Sequence, residues 1–87
     1  MKKYLIIYNS ENYDPIVSCI KSFKRWTRIK NRVWCISTDI EKTTDVRSQF
    51  VNVLGEDDLL MIIDITNSSW AAVNLPETAV YWLKEKE

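Results

Sequence analysis

Hydrophobic side chains in the first third of the chain follow two different periods. Residues 3–8 are mostly apolar at both odd and even positions, which predicts a β-strand covered on both faces. Asp14 and Pro15 then predict a helix start, because Asp caps free amides and Pro suits the first helical turn. Apolar residues recur at helical spacing after them: Ile16, Ile20 and Phe23. We expect this helix to end near Arg25 or Trp26.

The middle of the chain predicts two short strands, within residues 26–38, on either side of residues 30–32. A loop of two or four residues places three apolar side chains on one face: Ile29, Trp34 and Ile36. It places four others on the opposite face: Arg28, Lys30, Val33 and Cys35. A loop of three residues would shift the pairing and scramble these faces, so the pattern leaves the register of this hairpin open.

The second half of the chain predicts a helix, a strand and a further helix. Thr43, Thr44 and Asp45 open the helix, and its apolar positions share one face: Val46, Phe50, Val53 and Leu54. Gly55 follows, and the only glycine of the chain at this place predicts a left-handed helix cap. The apolar run 59–63 predicts a buried strand. Pro76 predicts the start of a C-terminal helix.

The order of these elements predicts the fold class. Two right-handed β-α-β crossovers in the order β-α-β-β-α-β give a ferredoxin-like α+β domain, with a four-stranded antiparallel sheet and both helices on one face. We expect residues 1–87 to form this single domain, with the C-terminal helix added. The first and last strands are apolar on both parities, so the second face of the sheet also needs a cover. We expect a sheet-to-sheet homodimer, to which the C-terminal helix contributes.

Composition excludes several classes of chemistry. The chain has no histidine, which removes the usual general base and the usual zinc ligand. One glycine cannot form a phosphate-binding loop. Cys19 and Cys35 fit no metal or redox spacing, and we expect two buried free thiols. The apolar N-terminal run is too short for a secretory or membrane segment, so we expect a cytoplasmic protein without a membrane partner.

Charge is balanced overall but unevenly distributed. The net charge is zero, yet six cations fall in a stretch of twelve residues without an acid: Lys21, Lys24, Arg25, Arg28, Lys30 and Arg32. Phe23, Trp26 and Trp34 are interleaved with them. Aromatic rings beside cations are typical of proteins that bind single-stranded nucleic acid. The structural alternative is that the rings are core and the cations a solvated face.

Three segments of the chain carry a resemblance to a known family. They are YLIIY at 4–8, VWCI at 33–36 and DDLLMIIDIT at 57–66, with Trp70 nearby. Together they resemble the SinR-like small proteins, which belong with the CRISPR-adaptation Cas subunits and VapD-type ribonucleases in a ferredoxin-like nuclease superfamily. The resemblance covers nearly the whole chain in order and length. It implies the ferredoxin-like fold and a homodimer.

The same resemblance bears on catalysis. Nucleic-acid-cutting members carry an Asp at the end of the first strand, where one carboxylate from each protomer holds a divalent metal. The matching residue here is Asn9, whose neutral amide is a weaker Mg²⁺ ligand than a carboxylate. Glu11 or Asp14 could replace the carboxylate if the loop after the strand curls back. Asp14, however, is also expected to cap the helix that it begins.

Three functional hypotheses follow from these observations. The first is a dimeric, non-catalytic module without a cofactor, which binds RNA, DNA or a larger nucleic-acid-handling protein through the basic stretch. The second is a metal-dependent ribonuclease or deoxyribonuclease that uses Mg²⁺ or Mn²⁺ at Asn9, Glu11 and Asp14. The third is a regulatory or antitoxin-like subunit that binds a protein partner. Nucleic-acid binding, metal-dependent cleavage and a co-purifying protein partner distinguish them.

Overall fold

The computed structural model describes residues 1–85 of the chain. Four strands and three helices follow one another as β1 (Lys2–Asn9), α1 (Asp14–Lys21), β2 (Arg25–Lys30), β3 (Val33–Thr38), α2 (Thr43–Ser48), β4 (Leu59–Asp64) and α3 (Glu77–Lys84). A single 3-10 turn, Val51–Val53, lies between α2 and β4. The predicted order of elements is therefore confirmed.

The four strands form one antiparallel sheet in the order β2-β3-β1-β4. β1 lies between β3 and β4, with Ile6 opposite Trp34 on one side and opposite Ile62 on the other. The two strands of the first β-α-β unit, β1 and β2, lie on either side of β3, and those of the second unit, β3 and β4, lie on either side of β1. This is the split arrangement of a ferredoxin-like domain. The predicted α+β class, with a four-stranded antiparallel sheet and a C-terminal helix, is confirmed.

The main core lies between one face of the sheet and the helices α1 and α2. Nine buried side chains form it: Tyr4, Ile6, Tyr8, Ile16, Ile20, Trp34, Ile36, Val46 and Phe50. Tyr4 is buried in full, and its hydroxyl donates a hydrogen bond of 2.7 Å to the carbonyl of Ile40. This bond offsets the cost of burying a polar group in an apolar core.

The first helix is shorter than its sequence pattern predicts. α1 ends at Lys21, and residues 22–24 turn the chain so that Arg25 and Trp26 enter β2 instead of the helix. The hydroxyl of Ser22 donates to the carbonyl of Cys19 at 2.5 Å, which satisfies one of the free carbonyls at the helix end. The prediction of a helix to residue 25 or 26 was wrong because β2 pairing with β3 takes these residues.

The β2–β3 hairpin has a two-residue turn and an irregular register. Arg32 in the turn has a φ of 73°, and the pairing shifts between Arg28 and Lys30. This bulge places Arg28 opposite Trp34, and Ile29 lines a cleft on the second face of the sheet instead. The predicted grouping of Ile29 with Trp34 was therefore wrong, because a bulge inserts one residue and reverses the faces beyond it.

Gly55 does not cap a helix. α2 ends at Ser48 and the chain continues as a 3-10 turn, so Gly55 no longer follows a helix directly, and its φ is not positive. Its N–H donates instead to Oδ2 of Asp58 at 2.6 Å, within the turn that leads into β4. The predicted left-handed cap was wrong.

The C-terminal helix lies on the second face of the sheet. Ala79 and Trp82 are its buried residues, and the ammonium group of Lys3 in β1 donates to the carbonyls of Trp82 at 3.0 Å and Glu85 at 2.6 Å. Cations at a helix C-terminus bind its free carbonyls favourably. A cleft of about 690 Å³ remains between α3, the sheet and the segment after β4. The expected contribution of the C-terminal helix to this face is confirmed.

The cysteines are free, and only one of them is fully buried. Cys35 is buried among the apolar residues of the second face, and this burial raises the pKa of its thiol to about 12. Cys19 is half-buried, and its thiol contacts the carbonyl of Gln49 at 3.2 Å. Within residues 1–85, no helix combines the length and the apolar character needed to cross a membrane.

Candidate nucleic-acid interface

Two tryptophans form the centre of the basic stretch. Trp26 in β2 and Trp34 in β3 are diagonal neighbours on the helix-covered face of the sheet, and their ring centroids lie 5.6 Å apart. The two rings differ in exposure, since Trp34 is 4% exposed and Trp26 is 40% exposed. Trp34 therefore belongs to the core, and it supports a neighbouring ring that is open to solvent.

Two cations lie directly on this tryptophan pair. The ammonium of Lys21, at the end of α1, is 5.4 Å from the ring centroid of Trp26 and 5.9 Å from that of Trp34. The guanidinium of Arg28 is 5.6 Å from the centroid of Trp34 and also donates to the side-chain carbonyl of Asn31. Each cation is within the distance at which a ring attracts it. We call Lys21, Trp26, Arg28 and Trp34 the basic-aromatic cluster.

The other cations of the stretch are distributed around the cluster rather than in it. Lys24 is exposed in the connection between α1 and β2, and Lys30 is exposed at the end of β2. Arg32 lies in the hairpin turn beside the end of β1, because its carbonyl accepts a hydrogen bond of 3.1 Å from the N–H of Tyr8. Lys24 and Arg32 therefore lie at the two ends of β2, whereas Lys30 pairs with Val33 on the second face.

Arg25 is directed away from this surface. It pairs with Ser37 on the second face of the sheet, and its guanidinium forms an ion pair with the carboxylate of Glu85 after α3. The structure thus separates Arg25 from Lys21, Lys24, Arg28 and Arg32, and it also places Lys30 opposite Val33, which lines the cleft on the second face. The position of Arg25 in β2, one residue before Trp26, is the reason, since successive strand residues face opposite ways.

The aromatic residues of the stretch are divided in the same way. Phe23 stacks on Phe50 of the core, with ring centroids 6.0 Å apart and an interplanar angle of 23°. Phe23 and Trp34 therefore pack in or against the core, as the alternative interpretation of the stretch predicts, whereas the ring of Trp26 is partly open to solvent. The sequence pattern did not identify Asn31, which holds Arg28 in place. The sequence signal that could have predicted this contact is an amide side chain in the hairpin turn, three residues after an Arg.

A second candidate site lies around Asn9, at the end of β1. Asn9 and Glu11 both line a cleft of about 710 Å³, together with the turn that precedes β4. Three acids of that turn line the same cleft, Glu56, Asp57 and Asp58, and Asp58 accepts hydrogen bonds from the hydroxyl of Ser10 and the N–H of Gly55. These bonds, first that from Ser10 and then that from Gly55, lower the pKa of Asp58 because they stabilise its charged form.

Asp14 does not join this cleft and does not cap its helix. It is exposed at the first position of α1, the cap residue is Tyr13, and no side chain closes the helix with a hydrogen bond. The predicted helix cap at Asp14 was therefore wrong, and its role in a metal site stays a prediction. Among residues 1–85, no group of three or more Asp, Glu or Cys side chains is arranged to hold a metal ion.

Comparisons with known proteins give no relative. No family model, no curated protein and no solved structure matches this chain. The fold and the site therefore define the class of protein, which is a ferredoxin-like α+β domain with a basic-aromatic cluster at one edge of its sheet. The resemblance to the SinR-like proteins stays an expectation.

Proposed function

We propose that this protein is a dimeric, non-catalytic module that binds single-stranded or flexible RNA or DNA. The observation that carries the proposal is the exposed ring of Trp26, with Lys21 beside it and Arg28 two residues further along the same strand. A base stacks on Trp26, and the cations neutralise the adjacent phosphates. Every base has a flat face, so this mode of binding tolerates many sequences.

The geometry supports a strand rather than a duplex. Trp26 is held against Trp34, which is buried, so its ring costs little conformational entropy on binding. The bases of a duplex are stacked on each other and are not available to such a ring. Lys24 and Arg32 extend the positive surface at the two ends of β2, where a flexible backbone can follow them.

The proposal of a non-catalytic role rests on Asn9 and its neighbours. The position that the resemblance assigns to a metal-binding carboxylate holds a neutral amide. Glu11 is the one predicted replacement that shares a cleft with Asn9, and Asp14 lies outside it. Glu11 and the acids of the turn before β4, which line the same cleft, are the remaining basis for a metal-dependent nuclease, and metal-dependent cleavage separates that function from binding alone.

The test is fluorescence anisotropy with labelled single- and double-stranded RNA and DNA at low salt. Trp26→Ala is expected to weaken single-strand binding by roughly 5- to 150-fold, because stacking of one base contributes about 1–3 kcal/mol. Trp70→Ala is the matched control, since Trp70 is equally exposed at 43% but lies on the second face. Equal losses in both variants, or no binding by the native protein, would contradict the proposal.

Charge reversal provides an independent measurement. Arg28→Glu together with Lys21→Glu is expected to reduce the slope of log affinity against log salt by about 0.7 for each phosphate that the protein no longer neutralises. Lys42→Glu is the matched control, because Lys42 is exposed at the start of α2, which packs on β4 at the far end of the sheet. Cleavage of the same strands that requires Mn²⁺ and disappears in Glu11→Gln would establish the nuclease instead.

A further inference from the structure

The two edges of the sheet are built differently. β2, at one edge, carries three cations and a bulge: Arg25, Arg28 and Lys30 provide the charges, and the bulge lies at the end of the strand. Charged side chains and bulges are the features by which proteins prevent unwanted strand pairing. β4, at the other edge, has no charge and no proline from residue 59 to residue 63. An unprotected apolar edge indicates a partner.

The hydrogen bonds of β4 show which backbone groups face outward. The N–H of Ile65 donates to the carbonyl of Lys3 at 2.9 Å, so odd-numbered residues of this segment bond to β1. In an antiparallel ladder the bonded and non-bonded pairs alternate. The N–H and C=O groups of Leu60, Ile62 and Asp64 therefore point away from the sheet, and no strand within residues 1–85 pairs with them.

Apolar side chains accompany this free edge. Leu59, Met61 and Ile63 lie on the second face of the sheet and are 52%, 55% and 42% exposed. α3 packs mainly against β2, at the other side of this face. The exposed apolar surface of the three side chains is on the order of 300 Å² per copy.

We propose that β4 pairs antiparallel with β4 of a second copy, giving a continuous eight-stranded sheet. The inference rests on the dimer named in the proposed function and deepens it, because it places the contact at the β4 edge instead of the sheet-to-sheet contact that the sequence pattern predicts. The two-fold axis passes through Ile62, so that Ile62 faces the partner's Ile62 and Leu60 faces the partner's Asp64. This register forms about six backbone hydrogen bonds from the outward-facing groups.

The side chains favour this register over the next possible one. With the axis at Ile62, Met61 lies opposite the partner's Ile63 on the second face, and apolar side chains contact each other. With the axis at Met61, Asp58 would lie opposite the partner's Asp64, and like charges directly opposite each other are destabilising. The axis at Ile62 avoids that repulsion.

The dimer closes and is expected to be weak. A β4–β4 contact is symmetric, and the charged, bulged β2 edge offers no surface for further growth, so association stops at two copies. The exposed surface of the three side chains in both copies, roughly 600 Å², is an upper limit on the apolar area that edge pairing covers, and it is about half of the 1,200 Å² typical of a stable interface. We therefore expect a dissociation constant in the range of about 1–100 µM.

Sedimentation velocity from about 1 to about 500 µM tests the association. The native protein is expected to shift from monomer to dimer over this range. Met61→Lys is expected to raise the dissociation constant at least about tenfold, because it places two added ammonium groups near each other across the axis. Val51→Lys is the control, since Val51 is 59% exposed in the turn after α2. A native protein that stays monomeric, or equal effects of both variants, would overturn the proposal.

Disulfide cross-linking tests the register, in a Cys19→Ser background. Met61→Cys protein mixed with Ile63→Cys protein is expected to cross-link, because non-bonded cross-strand pairs have Cα atoms about 4.5 Å apart, within disulfide range. Met61→Cys protein alone is expected to cross-link much less, since that diagonal separation is about 7–8 Å. Efficient cross-linking of Met61→Cys alone would overturn the register in favour of an axis at Met61.

Sedimentation and nucleic-acid binding of the native protein, measured side by side, separate this inference from the proposed function. A dimeric native protein that binds no nucleic acid contradicts the proposed function and leaves the β4 interface standing. A monomeric native protein that binds single strands contradicts the interface and leaves the binding site standing.

Discussion

Lys3 is expected to hold the C-terminal helix on the sheet, and Lys3→Met tests this. The ammonium of Lys3 donates to two carbonyls at the end of α3, those of Trp82 and Glu85, and lies 4.9 Å from the ring centroid of Trp82. Methionine has a similar length and apolar stem but no donor. The substitution therefore removes the hydrogen bonds and leaves the packing volume nearly unchanged.

The expected loss follows from two opposing contributions. Hydrogen bonds to a charged group contribute about 1.5–3 kcal/mol each, and the carbonyl of Trp82 is buried, so it loses its partner without gaining water. The carbonyl of Glu85 is only partly buried and can be hydrated. Removing a buried ammonium also relieves its desolvation cost. Because these contributions oppose each other, we expect a net destabilisation of the docked helix by about 1–3 kcal/mol.

Hydrogen exchange measures this effect directly. A change of about 1–3 kcal/mol corresponds to roughly 5- to 150-fold faster exchange of the α3 amides, with little change in the amides of β1 and β3, which pair independently of α3. Lys42→Met is the control for losing an exposed lysine. Unchanged exchange in α3, or a uniform acceleration over the whole sheet, would refute the assignment of Lys3 as the anchor of this helix.

Two further predictions concern acid stability and the turn before β4. The hydrogen bond from Lys2, followed by that from the N–H of Thr66, lowers the pKa of Asp64 from 3.8 to about 2. A depressed folded pKa contributes stability above the unfolded value, so urea midpoints should fall between about pH 4 and pH 2, and less so in Asp64→Asn. Gly55→Ala should change the free energy of urea unfolding by less than about 1 kcal/mol, because φ is not positive and the added Cβ lies 3.2 Å from a movable Asp58 oxygen. A loss above about 2 kcal/mol would indicate strain there.

Local patterns were sufficient for the elements and their order. An apolar run of five or six residues between polar flanks favours a strand, as in β1 and β4. The prediction that residues 59–63 are buried was wrong for one face, because Leu59, Met61 and Ile63 are exposed on the second face. Pro15 and Pro76 lack an N–H and favour the φ of a first helical turn, so the starts of α1 and α3 were predictable. Once two β-α-β units followed each other, handedness left the ferredoxin-like arrangement as the expected fold.

The candidate site was predictable only as a set of residues. The sequence has six cations and three rings in and beside one stretch, but strand alternation and a bulge decide which of them share a face. Arg25 turns to Glu85 on the second face, whereas Arg28 joins Trp34 on the first. A shift of one residue reverses the faces, and nothing in the local pattern specifies where the bulge occurs.

The sequence by itself determined the strands, the helix starts and the fold class, because these depend on residues close together in the chain. Only the tertiary structure decided where α1 ends, what holds α3 and which face of the sheet each cation of β2 occupies. Each of these depends on contacts between residues far apart in sequence. Arg25 and Trp26 pair with β3 and so end the helix before them, and the ammonium of Lys3 donates to the carbonyl of Trp82. Long-range contacts override local propensity where a buried partner contributes more free energy than the next helical turn.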